Sequence, residues 1–136
     1  MSLAISTVLQ VPFEVAVNKT REALAEQGFG ILTEINVKAT MKTKLDEDME
    51  DYLILGSCNP TLAHRALGVD RQIGLLLPCN VVVRAHPGDP ASTIVEAMNP
   101  NLMVEVSGDA DLEPVAREAT EKLRTAIAAL NGQPTA

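Results

Sequence analysis

The 136-residue chain is 46% hydrophobic, which is the size and apolar content of one ordinary domain with its own core. Its 18 acidic and 11 basic residues leave a formal charge of −7 with no basic cluster, so nucleic acid is excluded as a natural partner; no stretch approaches the roughly 18 apolar residues of a bilayer span. The first residues lack the basic-then-apolar pattern of a secretory leader, and a soluble cytoplasmic protein with Cys58 and Cys79 as reduced thiols is expected.

From Ala4 to Val11, Ile5, Leu9 and Val11 share one parity with Thr7, the signature of a half-buried strand that Pro12 stops. Phe13 to Gln27 carries apolar residues at spacings of three and four (Phe13, Val17, Leu24, widened by Ala16 and Ala23), so a helix follows, with Pro12 in its first turn and Gly28 closing it. Gly30 to Val37 alternates again, placing Ile31, Thr33, Ile35 and Val37 together on one face of a second strand. A short helix over 38–45 is expected to rest Met41 and Leu45 on the core before the acidic run 46–51.

Tyr52 to Ser57 reads as a third strand. Asn59 followed by Pro60 is a strong helix start, since Asn caps free amides and Pro at the first position gives up a donor that has no partner there; a two-turn helix to Leu67 ends at Gly68. Cys79–His86 and Ser92–Met98 form a hairpin across Pro87-Gly88-Asp89-Pro90. A turn of helix near Leu102 precedes a long helix over Asp111–Leu130 with a stripe of Leu112, Val115, Ala116, Ala119, Leu123, Ile127 and Leu130. Residues 1–131 make one domain, and 132–136 a flexible tail.

The fold class implied is α+β, two-layered: a curved, mostly antiparallel sheet of about five strands with two long helices on one face, in β-α-β4-α order with short helical insertions. Val8, Leu32 and Val82 fall on the less apolar parity of their strands. The second face of the sheet is therefore not purely polar, and a homodimer using it or a sheet edge is expected.

Three strings then stand out: Gly28-Phe29-Gly30-Ile31-Leu32; Tyr52-Leu53-Ile54-Leu55-Gly56-Ser57-Cys58-Asn59-Pro60 with Leu62-Ala63; and Ile73-Gly74-Leu75-Leu76-Leu77-Pro78-Cys79-Asn80-Val81-Val82-Val83. Together they resemble the bacterial and archaeal family catalogued as domain of unknown function 302, over Ala4 to Leu130. The resemblance implies a small α+β domain that forms dimers, and it implies no established activity. Ser57 stands where that pattern commonly has Ala.

Candidate chemistry centres on two Cys-Asn steps that interrupt apolar runs. Cys58 falls between a strand and a capped helix start, where free amides and the helix dipole favour an anion. A thiolate there is a nucleophile, a redox sensor or a metal ligand, while the plain alternative is a small residue filling a sharp turn. Cys79 shares parity with Val81, Val83 and Ala85 and so points into the core; Asn80, Arg84 and His86 take the opposite face.

The pairs Cys58/His64 and Cys79/His86 invite a zinc reading, yet seven residues of strand separate Cys79 from His86 by about 23 Å on opposite faces. No metal ligands are assigned. Gly28-Phe29-Gly30 lacks the third glycine of a dinucleotide loop and is a helix stop. The acidic run fails as a calcium loop, because Asp51 and Ser57 replace the required Gly and Glu, and Lys38, Lys42 and Lys44 read as its counter-charges.

The leading reading is a non-enzymatic, homodimeric small-ligand-binding or sensory domain in which Cys58, Asn59, Asn80 and Cys79 line a small polar pocket at the end of the sheet. A thiol-dependent enzyme or sulfur-handling protein with Cys58 as nucleophile, needing His64 or His86 as base, is the alternative. A purely structural interaction domain is the third. No cofactor is assigned.

Overall fold

A computed structural model describes residues 2–131; the tail assigned to 132–136 lies outside them. Five strands form one sheet in the order β1-β5-β4-β3-β2, where β1 is Ala4–Leu9, β2 Gly30–Asn36, β3 Tyr52–Cys58, β4 Cys79–His86 and β5 Asp89–Met98. Every pairing is antiparallel. The α+β class expected from the pattern is the one observed.

The two long helices, α1 (Phe13–Glu26) and α5 (Glu113–Leu130), pack on each other and on one face of the sheet. With so few aromatics, the layer is closed by small residues: Ala16, Thr20 and Ala23 of α1 and Ala116, Ala119, Thr120 and Ala126 of α5 are all buried. Thr20 and Thr120 donate their hydroxyls to the carbonyls of Ala16 and Ala116, both at 2.7 Å, so neither leaves an unpaired polar atom inside.

Two apolar clusters result. The larger lies between the sheet and the helices, with Leu55, Val81, Val83 and Val95 meeting Leu24 and Leu123. The smaller joins the first half of α5 (Val115, Ala116, Ala119) to Leu62 and Ala66 of α3 (Pro60–Val69), Ile73, Leu112, and Met103 of α4 (Leu102–Ser107). Helix α5 thus serves the sheet with its C-terminal half and the α3–α4 end with its N-terminal half.

Several expectations are corrected. Pro12 is the extended cap of α1 rather than a first-turn residue. Asp109 caps a short 3-10 turn, Ala110–Leu112, ahead of α5. Residues 71–76, which carry no clear period, form a 3-10 helix that buries Ile73. The helix after β2, α2 (Val37–Leu45), packs on β2 and β3 but buries no residue, and Leu45 is 64% exposed rather than resting on the core.

The β2 alternation is also interrupted. Ile31 pairs with Ser57 and Thr33 with Gly56, so Leu32 is an extra residue and the strand changes face at the bulge. Ile31 turns to the helix layer, while Thr33 and Ile35 turn to the other side. Gly56 is required here, since a Cβ on it would fall 2.1 Å from the Thr33 Oγ1 and 3.0 Å from the Pro78 ring.

The second sheet face carries no helix of the α1–α5 layer. Across it the ladder sets Val8 opposite Ile94, Ile94 opposite Arg84, Val82 opposite both Glu96 and Ile54, and Ile54 opposite Ile35. Val8 and Ile35 are 45% and 48% exposed. The Arg84 Nε donates to Glu96 Oε1 at 2.7 Å in the middle of this surface.

Candidate functional site

The sequence from Leu55 to Pro60 runs from a core strand directly into a capped helix, and this transition builds the site. Ser57 is fully buried, pairs with Cys79 in the ladder, and donates its hydroxyl to the Cys79 carbonyl at 2.8 Å. Cys58 is the last residue of β3 and half-buried. Asn59 then caps α3: its side-chain oxygen accepts from Leu62 N at 3.3 Å, and its amide donates to the Gln27 carbonyl at 3.2 Å.

That second bond ties the start of α3 to the end of α1. It also explains Gly28, whose φ is +83° and whose absent Cβ would lie 3.0 Å from the Asn59 amide. Asn59→Ala removes both contacts and is expected to cost about 1–2 kcal/mol, with the Gln27 carbonyl left to solvent. A urea midpoint unchanged from the parent would show that the cap is not holding these two helices together.

Cys58, Asn59 and Cys79 border one cavity of about 30 Å³. Phe29 closes it on one side, Leu62 and Ala66 of α3 on another, and Met103, Val115 and Ala119 from α4 and α5 complete it, so it lies at the seam between the two apolar clusters. Its wall is hydrocarbon and sulfur. A volume near 30 Å³ admits about two waters and falls far below the ~300 Å³ at which small-molecule pockets begin.

The two cysteines are unequal. Cys79 is 8% exposed, and burial first, then the charge of neighbouring Cys58, pushes its thiol up to about 11. At neutral pH it is a protonated thiol. Both cysteines border the one cavity, in keeping with the ladder that sets Cys79 beside Ser57.

Asn80 is not brought to this place. It pairs with Gly56, is exposed, and lies on the uncovered side of the sheet, because alternation along β4 turns it away from Cys79. The two Cys-Asn corners therefore converge through Cys58, Asn59 and Cys79 but not through Asn80, and the shared hollow is apolar rather than polar. His64 is exposed on α3, and His86 sits at the hairpin end of β4, where its Nδ1 accepts from Gly88 N at 3.0 Å. Neither histidine borders the cavity. Among the described residues, no group of three or more His, Cys, Asp or Glu is placed to hold a metal ion.

The contribution of Met103, Val115 and Ala119 escaped sequence reasoning. All belong to buried stripes, and nothing in a stripe says which distant corner it will cover. A wider polar groove of about 520 Å³ between α4 and α5, bordered by Glu105, Glu113, Arg117 and Arg124, was likewise not anticipated.

Compared with known proteins, the chain matches the model of the family described as "Domain of unknown function DUF302" over residues 5–130. The chain belongs to the DUF302 family. Among solved structures, it is similar to an uncharacterized conserved DUF302 protein from Bacillus stearothermophilus, at 24% identity and a TM-score of 0.85, over 93% of this chain and 97% of that one. No curated protein matches. At this identity the likeness speaks for the DUF302 fold. No helix of the described residues is long and apolar enough to cross a membrane.

Proposed function

We propose that this DUF302 chain is a homodimeric sensory domain whose reporting group is the Cys58 thiol. The observation that carries the reading is the unequal thiol pair on one small apolar cavity: Cys58 is reachable, Cys79 is sealed beside it, and the space between the surrounding helices admits an added atom or two rather than a metabolite. A species recognised there is small and reacts with, or binds to, sulfur.

A second copy is the occupant that suits the uncovered sheet face. At a net charge of −7 two copies repel over most of their surfaces, so association favours the patch where charge cancels. Arg84 and Glu96 neutralise each other at the centre of an apolar surface made by Val8, Ile35, Ile54, Val82 and Ile94. A two-fold axis through that pair would let each Arg84 meet the partner's Glu96 as well. Five strands at ~4.8 Å spacing give a footprint about 24 Å across, on the scale of the ~800 Å² per partner of a standard interface.

The thiol-enzyme reading is less well supported, because no residue bordering the cavity can serve Cys58 as a general base. Two measurements test the proposal. In the folded protein Cys58 should be alkylated by iodoacetamide while Cys79 is not, and a Cys58 that reacts only after unfolding ends the sensory reading. Sedimentation should give twice the chain mass, falling to one chain in both Val8→Asp and Val82→Asp. A parent that sediments as a single chain at high concentration would remove the dimer, and variants that keep the doubled mass would remove its assignment to this face.

A further inference from the structure

We propose that Cys58 and Cys79 act together as a peroxide-responsive pair, in which Cys58 is oxidised first and Cys79 then closes an intramolecular disulfide with it. This rests on Cys58 being the reactive thiol, and it adds a substrate class and a role for the second sulfur.

The geometry comes from the ladder. Ser57 and Cys79 are directly paired, so Cys58 is one residue along from the position facing Cys79. Neighbouring strands ~4.8 Å apart with a ~3.4 Å rise put the two Cα atoms about 6 Å apart, inside the usual 4.4–6.8 Å span of a disulfide. Strict alternation would turn Cys58 to the other sheet face; it is the last residue of the ladder, paired with Gly30, the chain turns into α3 directly after it, and both cysteines border the same cavity. Its apolar wall of Phe29, Leu62 and Met103 offers an oxidised sulfur no thiol or amine that competes with Cys79. The nearby Ser57 hydroxyl is already committed to the Cys79 carbonyl.

The chemistry balances in two steps. The Cys58 thiolate attacks one oxygen of hydrogen peroxide; an S–O bond forms, the O–O bond breaks and hydroxide leaves, giving a sulfenic acid. The Cys79 thiolate then attacks that sulfur; the S–S bond forms, the S–O bond breaks, and the departing hydroxide takes up the proton that Cys79 released. Two thiols and one peroxide yield one disulfide and two waters.

Order follows from burial. Cys79 is held protonated and away from solvent, so peroxide meets Cys58 first. Among the residues that border the cavity from β3, β4, α3, α4 and α5, Cys58 is the one titratable neighbour of Cys79. Closure draws on the small thiolate fraction of Cys79. Its rate should therefore rise about tenfold per pH unit between pH 7 and pH 10.

The test treats the full chain with equimolar hydrogen peroxide at neutral pH, then counts thiols under denaturing conditions and weighs the intact protein. Expected are simultaneous loss of both thiols, a mass lower by two hydrogens, and no covalent dimer. Cys79→Ala should trap a dimedone adduct at Cys58, and Cys58→Ala should leave Cys79 untouched. A dimedone-reactive Cys58 with Cys79 still free in the parent, or a Cys58–Cys58 crosslink between chains, overturns the pairing while leaving Cys58 as a sensor. A Cys58 inert to iodoacetamide in the folded state removes both. The parent measurements decide even if Cys79→Ala folds poorly.

Discussion

Leu55→Ala should lower the stability of the protein by about 3–5 kcal/mol, whereas Ile54→Ala, one residue earlier on the same strand, should cost the isolated chain less than about 1.5 kcal/mol. Leu55 has no exposed surface and sits in the larger apolar cluster with Val81, Val83 and Leu123, where the neighbours on both layers cannot collapse into the space a lost isobutyl group leaves. Ile54 faces the other way, between Val82 and Ile35, and is only half-buried. Urea unfolding at low protein concentration separates the two. A second distinction comes from concentration: the Ile54 effect should grow as the protein is concentrated, because that side chain lies on the face we assign to the dimer, while the Leu55 effect should not. Equal costs at all concentrations would mean that the supposedly uncovered face is covered within the chain itself.

The elements most legible in the sequence are those whose side chains sort by a single period. The α1 and α5 stripes, the alternation of β4, and the Asn59-Pro60 start of α3 all appear where the pattern places them, because a buried face and a cap are local properties. Where the reading failed, a non-local contact decided the outcome. The bulge at Leu32 exists because Gly56 leaves room for Thr33, a fact about two strands and not one. Helix α2 rests Val37 and Met41 only partly buried against β2 and β3, and its last turn extends past that contact, so Leu45 stays exposed.

The site shows the same division. Parity alone separates Cys79 from Asn80, and it sets Asn80 outside the pocket. The closeness of Cys58 to Cys79 depends instead on strand register, which a single sequence leaves open when apolar runs occupy both partners. The apolar character of the hollow depends on Met103 of α4 and Val115 and Ala119 of α5 folding back over it from well beyond Cys79 in the chain.

Cys79 also gives the protein a pH dependence of definite sign. Its folded pKa of about 11 lies above the ordinary thiol value of 9.0, because transfer of a thiolate into this hydrocarbon seam is unfavourable and a charged Cys58 opposes it further. The folded state therefore holds a proton that the unfolded chain gives up first. Stability is intact below pH 9 and declines as pH rises toward 11, by about 2–3 kcal/mol for a two-unit difference. Cys79→Val, similar in volume and unable to ionise, should match the parent within about 1 kcal/mol at pH 7 and exceed it progressively across this window, with reductant present throughout. Cys58→Ala should narrow the window without closing it, since it removes the smaller of the two causes. Because every other titrating group is common to parent and variant, their difference isolates this one thiol. Urea curves that stay parallel from pH 8 to 11 would place Cys79 in contact with water, and the distinction between a half-buried attacking sulfur and a buried resolving one would no longer stand.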